Sequence, residues 1–310
     1  MPSAGVKFYL NGGGLFTVQG RWWDENVEAL FRELDVGIYN PWKESKEGQL
    51  RAALPREELR RRIFESDRNG VDVSQGVVML GEGAAGEVSS GTAWETGYAC
   101  ARGKVVLCLR TDLRGDLNPI LKKCLFNGKV SRDLEELRSQ VVRAVNEIRR
   151  LKMTRTSYRR PAGRKEIKKL FLSAPYFTSA ETHYAKSLNR KLSKLGYDVM
   201  FAPGTSFSRG LSRGRSHVWA DLLVTKTHFQ DECDAVVALL DGFDSCTDTA
   251  WDCGYGYSKY KPVFGIRTDL RSLGDLGGEV NLMIEQSLVD TKVCHSMDEL
   301  SRLLDTANKI

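Results

Sequence analysis

The chain has 310 residues, 41% of them hydrophobic, and a formal charge of +6; such a length suits two domains of about 150 residues, each able to bury a core. No apolar run approaches the ~18 residues of a membrane span, and because strand-forming residues begin at Val6 no signal peptide is expected. Seven dispersed cysteines without a Cys-x-x-Cys pair and four histidines without ligand spacing speak against disulfides and zinc, so a cytoplasmic protein without metal or cofactor is expected.

In chain order, a first strand is predicted over Val6–Leu10, followed by the turn Asn11-Gly12-Gly13-Gly14, whose glycine spacing is not that of a dinucleotide-binding loop. An amphipathic helix over about Trp22–Leu34 places Val27, Leu30, Phe31 and Leu34 on one face. Strand Val36–Tyr39 ends at Asn40-Pro41, and a helix over Pro55–Ser66 opens on proline and is closed by Asp67. Strand Gly76–Leu80, a helix bearing Glu95, strand Lys104–Arg110, a loop with Asn118 and a long helix over about Arg132–Lys152 follow.

The second half runs through the same order. Strand Lys169–Leu172, helix Ala180–Leu195, strand Tyr197–Phe201 with Ala202-Pro203 after it, and helix Val218–Thr227 lead to strand Ala235–Leu240. A helix bearing Asp252, strand Pro262–Arg267, a loop with Asn281 and a last helix from about Met297 complete it. Strands alternating with helices predict an α/β fold, a doubly wound parallel sheet of roughly five strands in each half.

The chemistry concentrates in Ser89–Ala99, reading Ser-Ser-Gly-Thr-Ala-Trp-Glu-Thr-Gly-Tyr-Ala. A Ser/Gly turn entering a helix leaves backbone N–H groups unpaired. Glu95 is expected within about the first turn, where the helix dipole favours its ionised form at neutral pH. Thr249-Ala250-Trp251-Asp252-Cys253-Gly254-Tyr255 repeats the pattern, and Arg110–Arg114 and Arg267–Arg271 both read Arg-Thr-Asp-Leu-Arg, 157 residues apart. The chain is therefore read as a tandem repeat: residues 1–153, a basic linker at 154–166, and residues 167–310. Ten Lys and Arg residues lie between Arg149 and Lys169; a solvated linker is preferred to a nucleic-acid or protein contact, because aromatic residues are not interleaved. Trp94 and Trp251 are expected to pack on the sheet, one of Trp22 and Trp23 to face the core, and Cys253 to be a small buried hydrophobe.

In these motifs the chain resembles the nucleoside 2-deoxyribosyltransferase family, which includes N-hydrolases of nucleoside 5′-monophosphates. The resemblance spans both repeats. It rests on Tyr9-Leu10, Glu65-Ser66-Asp67 and the core Gly91, Glu95, Gly97, Tyr98 and Ala99 in repeat one, and on Cys233–Gly242 and Asn281-Leu282-Met283 in repeat two. It implies two flavodoxin-like, Rossmann-like domains forming an intramolecular pseudo-dimer, with further association left open. It also implies cleavage of the N-glycosidic bond of a deoxynucleoside or deoxynucleotide. Glu95 would be the nucleophile, Tyr9 would orient it, and Asp67 would contact substrate and help protonate the leaving base. Ser89, Ser90 and Gly91 would bind substrate, with Ser89 where the monophosphate hydrolases hold a phosphate-binding serine and the transferases an aspartate. Asn281 would complete the pocket from repeat two. At the matching positions repeat two has Phe171, Lys226 and Asp252, so a second site around Asp252 and Asn118 is expected to be weakened or dead. The same departures leave open a non-catalytic nucleotide-binding or assembly module.

Overall fold

The computed structural model describes residues 5–12, 18–45, 53–82, 88–112, 115–151, 166–201, 215–271 and 275–309. The chain divides into two compact units, residues 1–158 and 159–310. The linker stretch 154–165, Gly13-Gly14 and Ala202-Pro203 lie outside the described residues.

In the first unit the order is β1 (Lys7–Asn11), α1 (Val18–Glu33), β2 (Gly37–Tyr39), α2 (Pro41–Ser45), α3 (Arg56–Val73), β3 (Gly76–Leu80), α4 (Ser90–Ala101), β4 (Val105–Leu109), α5 (Pro119–Cys124) and α6 (Leu134–Arg150). The strands form one sheet in the order β2-β1-β3-β4, every pair parallel. The expected fifth strand is reduced among the described residues to a single parallel bridge, Leu109 with Ser131. Strands such as Gly-Val-Val-Met-Leu are buried along their whole length, as a parallel sheet covered on both faces requires.

The pleat sorts β1. Phe8 and Leu10 enter a cluster with Val27, Leu30 and Phe31 of α1 and Leu137, Val141, Ala144, Val145 and Ile148 of α6. Tyr9 and Asn11, on the alternate face, bond to α4 instead. Helix α6 presents its apolar residues at helical spacing and is capped by Asp133, whose carboxylate accepts from the Glu136 amide. Helix α3 runs on to Val73, so Asp67 lies inside a helix and does not close it. No residue from Ser66 to Val73 breaks helical geometry; the chain leaves the helix only at Ser74, whose backbone is extended.

The second unit repeats this plan with β5 (Lys169–Ser173), α7 (Ser179–Lys194), β6 (Asp198–Phe201), α8 (Arg215–Glu232), β7 (Ala235–Leu239), α9 (Thr247–Ser258), β8 (Val263–Ile266), α10 (Leu282–Ser287), β9 (Val293–Cys294) and α11 (Met297–Lys309). Its sheet order is β6-β5-β7-β8-β9, again wholly parallel. This is the flavodoxin-like 2-1-3-4-5 order, with a topological switch point between the first and third strands. Leu188 and Leu192 of α7 and Leu300 and Leu304 of α11 close one face over Leu170, Leu172, Val237 and Leu239. Among the described residues no helix is long and apolar enough to cross a membrane, and no group of three or more His, Cys, Asp or Glu residues is placed to hold a metal ion.

Gly70 lets α3 settle on the first sheet beside the site. A Cβ there would lie 2.5 Å from a ring carbon of Tyr39 and 2.8 Å from one of Tyr9, and the two rings are stacked at 5.9 Å. Gly70→Ala is expected to destabilise the protein by about 1–3 kcal/mol through overpacking, read as a lower urea midpoint at unchanged m-value.

Candidate active site around Glu95

Helix α4 begins at Ser90, with Ser89 as its N-cap. The Ser89 hydroxyl accepts from the Thr92 amide at 3.2 Å and donates to Thr92 Oγ1 at 3.0 Å. All residues from Ser90 to Ala99 are buried, because the helix lies against the sheet with α3 beside it. Glu95 is its sixth residue, in the second turn. That corrects the expected first-turn placement, and with it the expected ionisation, since the dipole's effect fades beyond the first turn.

Tyr9 reaches Glu95 from mid-sheet: its hydroxyl donates to Glu95 Oε1 at 2.7 Å. Tyr9 is 0% and Glu95 7% exposed. Burial pushes the Glu95 carboxyl up to about 8, against the pull of the Tyr9 hydrogen bond, so the free protein holds it protonated at neutral pH. Burial, and then the charges of Asp67 and Glu95, push the Tyr9 phenol well above its ordinary value; it stays a donor. Tyr39, raised by burial and also by Asp67, bonds through its hydroxyl to the Ser66 carbonyl and hydroxyl. Asp67 is half-buried on α3, near enough to act on both phenols. The structure thus gathers Tyr9, Asp67 and Glu95, with Ser89, Ser90 and Gly91 at the start of the Glu95 helix.

Asn11 carried no signal in the sequence beyond opening a glycine-rich turn. Its Nδ2 donates to the Thr92 carbonyl at 3.0 Å and to Thr96 Oγ1 at 3.2 Å. Asn118 and Asn281 share a local role: each caps the short helix after it, accepting from the amides of Ile120 at 3.0 Å and Met283 at 2.9 Å. Trp94 is fully buried, stacked on Tyr98 at 5.3 Å and edge-on to Phe64. Trp23 packs on the core while Trp22 is exposed.

Unit two solves the same burial differently. Phe171 stands where Tyr9 does and has no hydroxyl to offer. Asp252, 0% exposed, is held by the Lys226 ammonium at 2.7 Å, the Ser173 hydroxyl at 2.6 Å and the Gln230 amide at 2.6 Å. Burial pushes the Asp252 carboxyl up while Lys226 and Ser173 pull it down. For Lys226 burial works against the charge, but Asp252 and Asp248 outweigh it and hold the amine above its ordinary value. The acid on α9 is consumed by an internal ion pair.

Much else in the repeated motifs is structural. Tyr98 and Tyr255 donate to Asp72 and Asp231. Arg102 and Lys259 sit over those rings at 5.1 and 5.3 Å, and Lys104 and Lys261 tie down the carbonyls that end α3 and α8. Arg110 and Arg267, both buried, donate to the carbonyls of Gly81 and Leu240, and Thr111 and Thr268 bond Glu82 and Asp241. The Arg-Thr segment therefore bolts the loop after the third strand to that after the fourth.

Two stability measurements test this picture. Glu95 has a folded pKa of about 8 against a reference value of 4.5. Its protonated form favours folding below about 4.5, and that contribution is lost as pH rises through about 8. Glu95→Gln, always neutral, should match the parent below about pH 4.5, gain on it progressively up to about pH 8 and keep that advantage above, read by thermal unfolding across pH. Lys226→Met leaves Asp252 without its counter-charge and should cost about 3–5 kcal/mol; adding Asp252→Asn should recover part of the loss in denaturant unfolding.

The nucleoside 2-deoxyribosyltransferase family matches this chain over residues 8–129 and again over 170–288. No curated protein matches the sequence. Among solved structures, a 2-deoxyribosyltransferase from the psychrotolerant bacterium Bacillus psychrosaccharolyticus is 19% identical, the match covering 46% of this chain and 91% of that one with a TM-score of 0.34. A conserved protein from Enterococcus faecalis V583 is 21% identical over 45% of this chain and 98% of its own, with a TM-score of 0.35. By the two family matches, which together span most of its length, the chain belongs to the nucleoside 2-deoxyribosyltransferase family and carries the family's domain twice.

Proposed function

We propose that repeat one, residues 1–153, cleaves or transfers the N-glycosidic bond of 2′-deoxynucleosides through a covalent intermediate on Glu95. We further propose that repeat two, residues 167–310, is a degenerate copy. The observation that carries this reading is the buried Tyr9–Glu95 hydrogen bond of 2.7 Å, set beside an Asp252 already held by Lys226. Only one copy keeps a carboxyl group whose second oxygen is left to react.

In this mechanism the Glu95 carboxylate attacks the anomeric carbon as the bond to the base breaks, and positive charge develops on the sugar as in a retaining glycosidase. Tyr9 holds Oε1, leaving Oε2 to form the ester. Asp67, coupled to Tyr9 by charge, gives the departing base its proton. A second base or water then attacks the same carbon, gives its proton to the Asp67 carboxylate and restores the Glu95 carboxylate; the first outcome is transfer, the second hydrolysis. No step calls on a metal or cofactor. A deoxynucleoside 5′-monophosphate hydrolase is the second reading, favoured by Ser89 at the start of the Glu95 helix, where backbone N–H groups and the helix dipole suit an anion.

Intact-protein mass spectrometry with deoxynucleosides, and separately with their 5′-monophosphates, tests both. The expected result is a mass gain of one deoxyribosyl unit with free base released, abolished in Glu95→Ala and unaffected by Asp252→Asn in a folded variant. The reverse pattern would move the chemistry to repeat two; no adduct and no base would leave the non-catalytic module. Because attack needs the ionised form of a group titrating at about 8, kcat/KM should rise about tenfold per pH unit as pH approaches that value from below. Asp24, pushed to about 7 by burial and by Glu28, titrates nearby, so Asp24→Asn should leave the profile in place.

A further inference from the structure

Building on the reading of Glu95 as nucleophile, we propose that Asn11 is a substrate-binding residue whose side-chain carbonyl accepts a hydrogen bond from a sugar hydroxyl of the substrate. Asn11 ends β1, two residues after Tyr9 and on the same face of the strand. It is 1% exposed. Its amide orientation is fixed by chemistry: the Thr92 carbonyl, 3.0 Å away, only accepts, so Nδ2 must be the atom turned to it. Oδ1 then faces away from that carbonyl, and it is buried with no hydrogen-bond partner among the described residues. Buried acceptors are almost always paired, so an orphan here calls for a donor from elsewhere.

Its place says which donor. β1 and β3 flank the switch point of the sheet, and open α/β sheets take ligands beyond the carboxyl ends of such strands. Tyr9 on the same strand holds Glu95, so an acceptor two residues further on meets the sugar that carries the attacked carbon, and the departing base lies beyond it. A neutral amide oxygen pairs with a hydroxyl and repels a phosphate oxygen, which only accepts. The matching residue of unit two, Ser173, spends its hydroxyl on Asp252. Loss of the Asn11 side chain leaves the Thr92 carbonyl satisfied, because Thr96 Oγ1 donates to it at 2.8 Å.

The test is base release by the full-length protein from a 2′-deoxynucleoside and from its 3′-deoxy and 5′-deoxy analogues, comparing wild type, Asn11→Ala and Thr96→Val. With the parent nucleoside, Asn11→Ala should lower kcat/KM about tenfold, the size of one lost neutral hydrogen bond. With the analogue lacking the recognised hydroxyl, wild type should already be about tenfold slower and Asn11→Ala should add nothing. Thr96→Val, which removes one anchor of the amide and leaves Oδ1 in place, should stay within about twofold throughout. Equal losses on all three substrates would reduce Asn11 to a structural tie, and no loss on the parent would remove it from the site; either overturns the proposal. A wild-type protein that releases base from none of them refutes the glycosidic reading itself, and the proposal with it.

Discussion

A carboxyl group buried on the helix after the third strand is the constraint around which both units are built. A buried acid must be protonated, hydrogen-bonded or paired with a cation. In the first unit the partner is a phenol, which donates one hydrogen bond to Glu95 and contributes no charge. The result is a carboxyl held near the point of ionisation, with one oxygen still available. In the second unit the partner is an ammonium, backed by a hydroxyl and an amide. Three donors share the two oxygens of Asp252.

That contrast fits the pattern of what the two copies share. The identical contacts are those at the far end of the helix and at the loop bolts: Tyr98 and Tyr255 on their aspartates, Arg110 and Arg267 on their carbonyls. They hold the scaffold and are needed in either copy. The contacts that differ lie at the switch point, where Tyr9, Asn11 and Asp67 are matched by Phe171, Ser173 and Lys226. The family's domain occurs twice, and the residues at the switch point leave one copy with a phenol-bonded acid and the other with an acid paired to an ammonium.

Burial of Glu95 also sets stability against ionisation. The site helix is enclosed from Ser90 to Ala99, which desolvates the acid and raises its pKa. Ionising it costs the folded state, because burial disfavours the charged form.

The sequence by itself determined the strand and helix order, the duplication and the acid at the centre of each copy, because apolar runs, turn residues and two in-register repeats are local signals. Strand Gly76–Leu80 could be read to the residue, since five buried apolar or small residues between turns admit little else. Helix α3 could not: Asp67 looked like an end because it is polar, yet Leu59, Ile63, Phe64, Gly70 and Val71 are all buried along its length. Packing carried the helix past a residue that composition would have ended it on. The protonation of Glu95, the capture of Asp252 by Lys226 and the orphaned oxygen of Asn11 were decided by tertiary structure alone. Each depends on which group, 22 to 86 positions away or absent altogether, arrives beside a buried polar atom, and desolvation has no signature in a linear chain.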